Sequence, residues 1–335
     1  MKIFLLVLST IWFVSCQETF LGRDPSGTPR ENFESLWKTL DEKYSFFDYK
    51  KIDWNEVYNR YSPRIYNSMD DIQLFNVLFE MLSELRDSHV NLVAPFNVSR
   101  YELEFTRSPL NYDERIVNSY YLKNDYYITG PFKHQLLMEG TVGYVRYASF
   151  EDEVTPGAID FVTSRFKNTK GIIFDVRSNG GGSISNMFTI ASRFADTRRE
   201  VYVSYLKNGP GHEDFTGPND VFIEPSGVNF NQRVCILTNR GSYSATSFFV
   251  LAMRNFPNIT IVGDTTGGGL GAPTGAELPN GWGYRFSCSK TLSTDGQNYE
   301  DGIPPDVEVN MTSTDIQKNK DSIIEKAISI IVLGQ

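Results

Sequence analysis

One local form occurs twice in the sequence, and it constrains the fold more than any other feature. In "GIIFDVRSNGGGSISNMFTIASRFAD" a continuous apolar run over 171–176 meets a turn holding glycines 180–182, followed by a helical face of Ile184, Met187, Ala191, Phe194 and Ala195. "RVCILTNRGSYSATSFFVLAMRNF" repeats the same strand, turn and helix. An apolar run without alternation belongs to a strand covered on both faces. "GTVGYVRYASF" (140–150) and "NITIVGD" add strands, helices are expected near 156–167 and over 316–333, and "GDTTGGGLGAPTG" is a glycine-rich loop. Strands alternating with helices predict an α/β core with a mainly parallel sheet.

Ahead of that core the period changes. Phe33, Leu36, Trp37, Leu40 and Tyr44 share one helical face, a short helix is expected over 53–61, and Ile72, Phe75, Leu78, Leu82 and Leu85 form a third stripe with Ser68 as its N-cap. Residues 31–92 therefore read as a small helical cap ending in "ELRDSHVNLV", and 93–138 as a connector of short strands and turns. The core then spans 139–312, and 313–335 carries the last helix.

The N-terminus, "MKIFLLVLSTIWFVSC", sets one Lys before a mostly apolar run that is too short to span a bilayer. It reads as a secretory signal over residues 1–15. Ser15-Cys16 resembles a bacterial lipobox, so Cys16 is the expected lipidation site and 16–30 a tether; an ordinary cleaved signal is the alternative. The expected location is the cell envelope, with membrane attachment through the N-terminal lipid.

A net charge of −9 argues against a nucleic-acid partner. None of the three histidines lies at metal-ligand spacing from another His, Cys or carboxylate, so no zinc is expected. Apart from Cys16, only Cys235 and Cys288 remain. They make no disulfide framework, and Cys235 in "VCILT" reads as a buried free thiol, with a Cys235–Cys288 pair as the alternative.

"NGGGS" lacks both the Lys-Ser/Thr of a P-loop and the G-x-G-x-x-G spacing. Two readings remain for it. The glycines either serve positive backbone angles or expose amides to an oxyanion formed by attack on a carbonyl. The second requires a nucleophile on a comparable turn, and "GSYSATS" offers Ser242, Ser244, Thr246 and Ser247.

Taken together, "GYVRYASF", "IIFDVRSNGGG", "TNRGSYSATSFF", "IVGDTTGGG" and "YEDGIPPDVEV" resemble the carboxy-terminal processing (tail-specific) serine peptidases, and more closely their tricorn-core and retinoid-binding-protein-like branch. The resemblance implies a crotonase-like (ClpP/crotonase) core behind a helical cap and a peptide or unfolded-protein substrate, with no cofactor. It implies Ser244 as nucleophile, with Ala245 and Gly182, Gly181 adjacent, as oxyanion donors. The lysine base of the processing branch is replaced by Gly269. The tricorn branch instead uses a serine-preceded histidine and a glutamate, here Ser88-His89 and Glu300, with Asp301 the other acidic candidate. Pairing with Glu300 would set the His89 pKa at roughly 6–7.5. The 45 residues between Val93 and Glu139 are too few for the family's PDZ module, and "FNVSRYELEF" is expected to bind extended peptide by edge addition. The family also includes retinoid carriers, so an inactive protein binding a hydrophobic ligand or peptide is the second reading, and a structural scaffold a third.

Overall fold

The computed structural model describes residues 27–101 and 109–334. The signal, Cys16 and the tether up to residue 26 lie outside the described residues, as do residues 102–105 of "FNVSRYELEF".

The chain begins with helix α1 (Pro29–Lys43), whose N-terminus is closed by a Thr28/Glu31 capping box with Pro29 at the first position. A single turn α2 (Phe47–Lys50), α3 (Trp54–Tyr61) and α4 (Asp71–Ser83) follow. The N-cap of α4 is Asp70 rather than Ser68, because Asp70 and Gln73 cap one another's backbone reciprocally. Phe33, Leu36, Leu40, Leu74, Phe75 and Leu78 bury their faces in one cluster. That cluster also takes Leu278, Trp282, Tyr284 and Phe286 from the far end of the sequence.

The partnership arises from a small antiparallel sheet. Strands β1 (Asn91–Ala94) and β2 (Asn97–Val98) pair with one another, and β1 also pairs antiparallel with residues 283–285. The connector holds an unexpected helix, α5 (Glu114–Ile116), continued as a π-helical segment over Val117–Leu122. Asp113 caps it, Tyr121 Oη donates to Glu325 Oε1 at 2.8 Å, and Ile116, Val117, Tyr121 and Leu122 are buried.

The core continues as β3 (Tyr127–Thr129), β4 (Phe132–Leu137), β5 (Val142–Tyr147), α6 (Pro156–Phe166), β6 (Gly171–Asp175) and α7 (Ile184–Ala191). Next come β7 (Arg199–Leu206), β8 (Asn219–Ile223), β9 (Arg233–Thr238), α8 (Ala245–Met253) and β10 (Ile259–Gly263). Strands β11 (Pro273–Glu277), β12 (Gly283–Ser287), β13 (Ser289–Leu292) and β14 (Val307–Glu308) lead to α9 (Ser313–Gln317) and α10 (Ser322–Leu333). The single helix expected over 316–333 is thus two, because Asp321 caps α10 by accepting from the amides of Ile323 and Ile324.

The main sheet has the order β14-β10-β9-β6-β5-β4-β3, with β5, β6, β9, β10 and β14 parallel and β3 and β4 antiparallel. Its two faces explain the unbroken apolar runs. Ile172, Phe174, Val234 and Ile236 join the cluster holding α6, α7 and α8, while Ile173, Cys235 and Leu237 face Ile323, Ile324, Ala327 and Ile331 of α10. Cys235 is buried and Cys288 partly so, and both are free thiols. The two remaining sheets are β11-β12-β1-β2 and β13-β7-β8.

β6 and β9 are parallel neighbours, with Asp175 opposite Leu237. The two turns that follow them therefore emerge side by side at the carboxyl edge of the sheet, where open α/β sheets place their ligands.

Candidate active site

The turn after β9 is stitched on both sides. The Tyr243 N–H donates to Asn179 O at 3.0 Å, and Ser244 N–H to Gly268 O at 2.9 Å. Three of its four hydroxyls are buried and spent on structure. Ser242 Oγ donates to Val176 O, Thr246 Oγ1 to Asn179 O and Ser247 Oγ to Ser242 O. Ser244 differs: it holds φ 57° and ψ −122° at the N-cap of α8 and makes no capping bond with its side chain. A non-glycine residue keeps such angles only where its surroundings over-determine them. The result is a hydroxyl presented to a cleft of about 490 Å³, lined by His89, Glu151, the three glycines, Ile184, Phe248 and Arg285 among others.

Facing it is His89. Its Nε2 lies 3.0 Å from Ser244 Oγ, across 155 positions of sequence. The β1–β12 pairing two residues further on carries the histidine there. The backbone at His89 is fixed by Asp87, whose Oδ1 accepts the His89 N–H at 2.8 Å. Asp87 Oδ2 accepts from Tyr44 Oη at 3.1 Å and Ser287 Oγ at 2.9 Å. Asp87 thus joins the end of α1, the histidine loop and β12. Sequence reasoning passed over it, although an Asp two residues before a residue in a turn is a recognised side-chain-to-backbone pattern.

His89 is almost wholly buried, and burial pushes its pKa down to about 4. The negative Asp87 opposes this, while Arg285 and Lys50 add to it. The imidazole is therefore neutral at pH 7. Its Nδ1 is buried with no hydrogen-bond partner among the described residues.

The acidic partner expected for that nitrogen is elsewhere. Glu300 Oε2 accepts from the Leu270 amide at 2.7 Å, and no hydrogen bond joins it to His89. Burial and the charge of Asp87 push its pKa well above the carboxylate range. The expected rise of the His89 pKa by Glu300 is overturned for this reason. Asp301 is exposed, 4.0 Å from Lys50 Nζ. Ser88 Oγ donates to Tyr101 O at 3.2 Å rather than to its neighbour's ring. Ser88, Asp87 and Glu300 do meet around an adjoining cavity of about 420 Å³.

The glycine turn abuts the serine. A Cβ on Gly181 would fall 2.9 Å from both Ala245 N and Ser244 Cβ, and one on Gly182 2.3 Å from the Phe150 carbonyl carbon. Gly181 is not free to bind an oxyanion, because its N–H donates to Asn179 Oδ1 at 3.0 Å. Phe150 bonds to Gly181 O and to the Ser183 N–H on either side of Gly182. That leaves the N–H of Gly182 pointing away from Phe150, and the first amide of α8, Ala245, has no acceptor within its own helix. The other two histidines are spent elsewhere. His134 meets Thr129 and Arg165, and His212 stacks on Phe47 at 4.6 Å with Asp41 3.0 Å from its Nε2.

Residues 141–309 match the sequence profile of peptidase family S41, and residues 25–83 that of the tricorn protease C1 domain. The carboxy-terminal processing protease CtpA of Bacillus subtilis is 24% identical over 177 residues, 52% of this chain and 36% of CtpA. The chain spans about a third of the length of the curated relatives it matches. A crystal structure of a Parabacteroides merdae protein, provisionally described as a peptidase, superimposes with a TM-score of 0.88 at 44% identity, covering 91% of this chain and 97% of the other. Mature CPAF shares the fold at 11% identity, with a TM-score of 0.69 over 92% of this chain and 98% of its own.

Proposed function

The chain belongs to peptidase family S41, and from that premise we propose that it is a serine peptidase with Ser244 as nucleophile and His89 as general base. The observation that carries the reading is the 3.0 Å approach of His89 Nε2 to Ser244 Oγ. A neutral imidazole with its proton on Nδ1 offers Nε2 as acceptor, so the serine proton passes to Nε2 as Oγ attacks the peptide carbonyl. The charge on the carbonyl oxygen is met by the amides of Gly182 and Ala245. Nε2 then returns the proton to the leaving amine, and water releases the acyl group by the same steps in reverse. Asp87 supplies the negative charge that stabilises the imidazolium, acting through the field it exerts on the ring.

A fluorophosphonate probe tests the nucleophile. Labelling is expected in the wild type, Ser242→Ala and Ser247→Ala, and none in Ser244→Ala. Labelling that survives in Ser244→Ala ends the assignment. The reading includes export and acylation at Cys16, supported by the apolar run ending in Ser15-Cys16. Uptake of labelled palmitate that disappears in Cys16→Ala tests it; a wild-type protein without lipid overturns it.

A further inference from the structure

The cleft carries two charged side chains besides the neutral histidine, Glu151 and Arg285, and neither makes a hydrogen bond or ion pair with a described residue. Arg285 sits there by register. Its neighbours on β12, Tyr284 and Phe286, are buried in the helical cap's cluster, so strand alternation turns Arg285 to the opposite face. Directly across from it stand Asn91 on β1 and Gly275 on β11. Asn91 is engaged with Ser99 O. A Cβ on Gly275 would meet only Tyr284 O, at 3.7 Å. The backbone does not demand glycine there, and the position directly across from Arg285 carries no side chain.

The positive charge of Arg285 reaches the groups on either side of the nucleophile, acting on both His89 and Tyr243. The rest of the lining is the hydroxyls of Ser88, Tyr243 and Ser244, the glycine turn, and apolar side chains including Ile184, Phe248, Ala272 and Pro273. Arg285 is exposed where it lines the cleft, so its guanidinium, with no protein partner, is a fork of donors that an incoming carboxylate can reach.

We propose that Arg285 is a specificity-determining residue that binds a carboxylate of the substrate within a few residues of the scissile bond. This rests on the peptidase reading above. The carboxylate can come from an Asp or Glu side chain or from the end of the substrate chain. The recognising chemistry is the same for both.

The test uses the full chain and two peptide sets. One set exchanges Asp and Glu for Asn and Gln at each position around the cleaved bond. The other compares free with amidated carboxyl ends. In the wild type, kcat/KM for at least one carboxylate form should exceed that of its amide by roughly ten- to a hundred-fold, the range of a hydrogen-bonded charge pair. In Arg285→Gln that ratio should collapse towards one, and in Arg285→Glu it should invert in favour of a Lys or Arg peptide. The set that responds names the source of the carboxylate. A wild type indifferent to both exchanges, or a preference unchanged in Arg285→Gln, overturns the proposal. Complete loss of cleavage and probe labelling in the wild type would instead remove the peptidase reading beneath it.

Discussion

A β-carbon on Gly269 would lie 2.4 Å from the Tyr243 ring. The resemblance to the processing branch puts that branch's lysine at Gly269, and here Tyr243 fills the space a side chain would cross. Its φ of 76° adds a second barrier to any larger residue. A side chain at position 269 and the Tyr243 ring beside Ser244 therefore exclude one another. Gly269→Lys is expected to destabilise the fold by about 2–4 kcal/mol through overpacking and backbone strain. In a His89→Ala background it should restore no peptidase activity. Recovery of cleavage in that double variant, in a peptide assay at pH 8–9, would show that a Ser–Lys dyad can still form.

With His89 as the proposed base, its protonation should set the pH dependence. Its pKa in the folded chain is about 4, so kcat/KM should hold through pH 6 and fall only below about 5. The sequence had suggested a fall at roughly 6–7.5 through a carboxylate on Nδ1. Burial without such a partner moves it the other way. Stability carries the same sign. Unfolded His89 takes up a proton near pH 6.5 and the folded form only near 4, so stability present above pH 6.5 is lost as pH falls through that window. At pH 5 the loss should be roughly 2 kcal/mol relative to pH 7. Urea titrations at the two pH values, compared with His89→Ala, isolate it.

The two buried acids should respond differently. Glu300 engages the Leu270 amide and favours its neutral form, so Glu300→Gln keeps the bond and should change kcat by no more than a few-fold. Asp87 is the nearby negative charge acting on the imidazole, and it also holds the His89 backbone. Asp87→Asn keeps the acceptor but removes the charge. It should lower kcat by roughly ten- to a hundred-fold with little change in KM, and move the acid limb to still lower pH. The opposite ranking would return Glu300 to the role the resemblance gave it.

The doubled strand–turn–helix form revealed the sheet because its signal is local. Two parallel neighbours buried on both faces must be apolar throughout, and two turns at one sheet edge must be close. The histidine was legible only by resemblance, since its position depends on β1 pairing with β12 across nearly 200 residues, and a four-residue strand carries no mark of its partner. Strands β7 and β8, half exposed and rich in polar residues, went unread for the same reason. The α5 helix was missed because three residues are less than one turn and too short to show a period. Asp87 and Arg285 escaped notice because a single charge in a sequence reads as solvated until the fold shows what surrounds it.

Arg177 offers the sharpest test of how the glycine turn is held. It is fully buried at the end of β6, immediately before Ser178, Asn179 and the glycines. Its guanidinium pairs with Asp175 Oδ2 at 2.6 Å and with Asp321 Oδ2 at 2.9 Å, and donates to Asn111 O at 3.0 Å. Tyr144 Oη completes the shell of Asp175 at 2.7 Å. Asp321 is also the cap of α10, so one cation ties the sheet, the last helix and the start of the glycine turn. Replacing a satisfied buried network with apolar groups costs little, whereas removing one partner strands the others. Arg177→Met leaves two buried carboxylates without their counter-charge and should cost about 3–5 kcal/mol in urea unfolding. The triple variant Arg177→Met, Asp175→Asn, Asp321→Asn removes the stranded charges while leaving two buried amides, and should recover part of that stability. Activity should fall in the single variant even under conditions where it stays folded, because the turn carrying Gly182 loses its anchor. A single variant within 1 kcal/mol of wild type, with unchanged kcat, would show that the turn is held by its own backbone bonds to Phe150 and Asn179 alone.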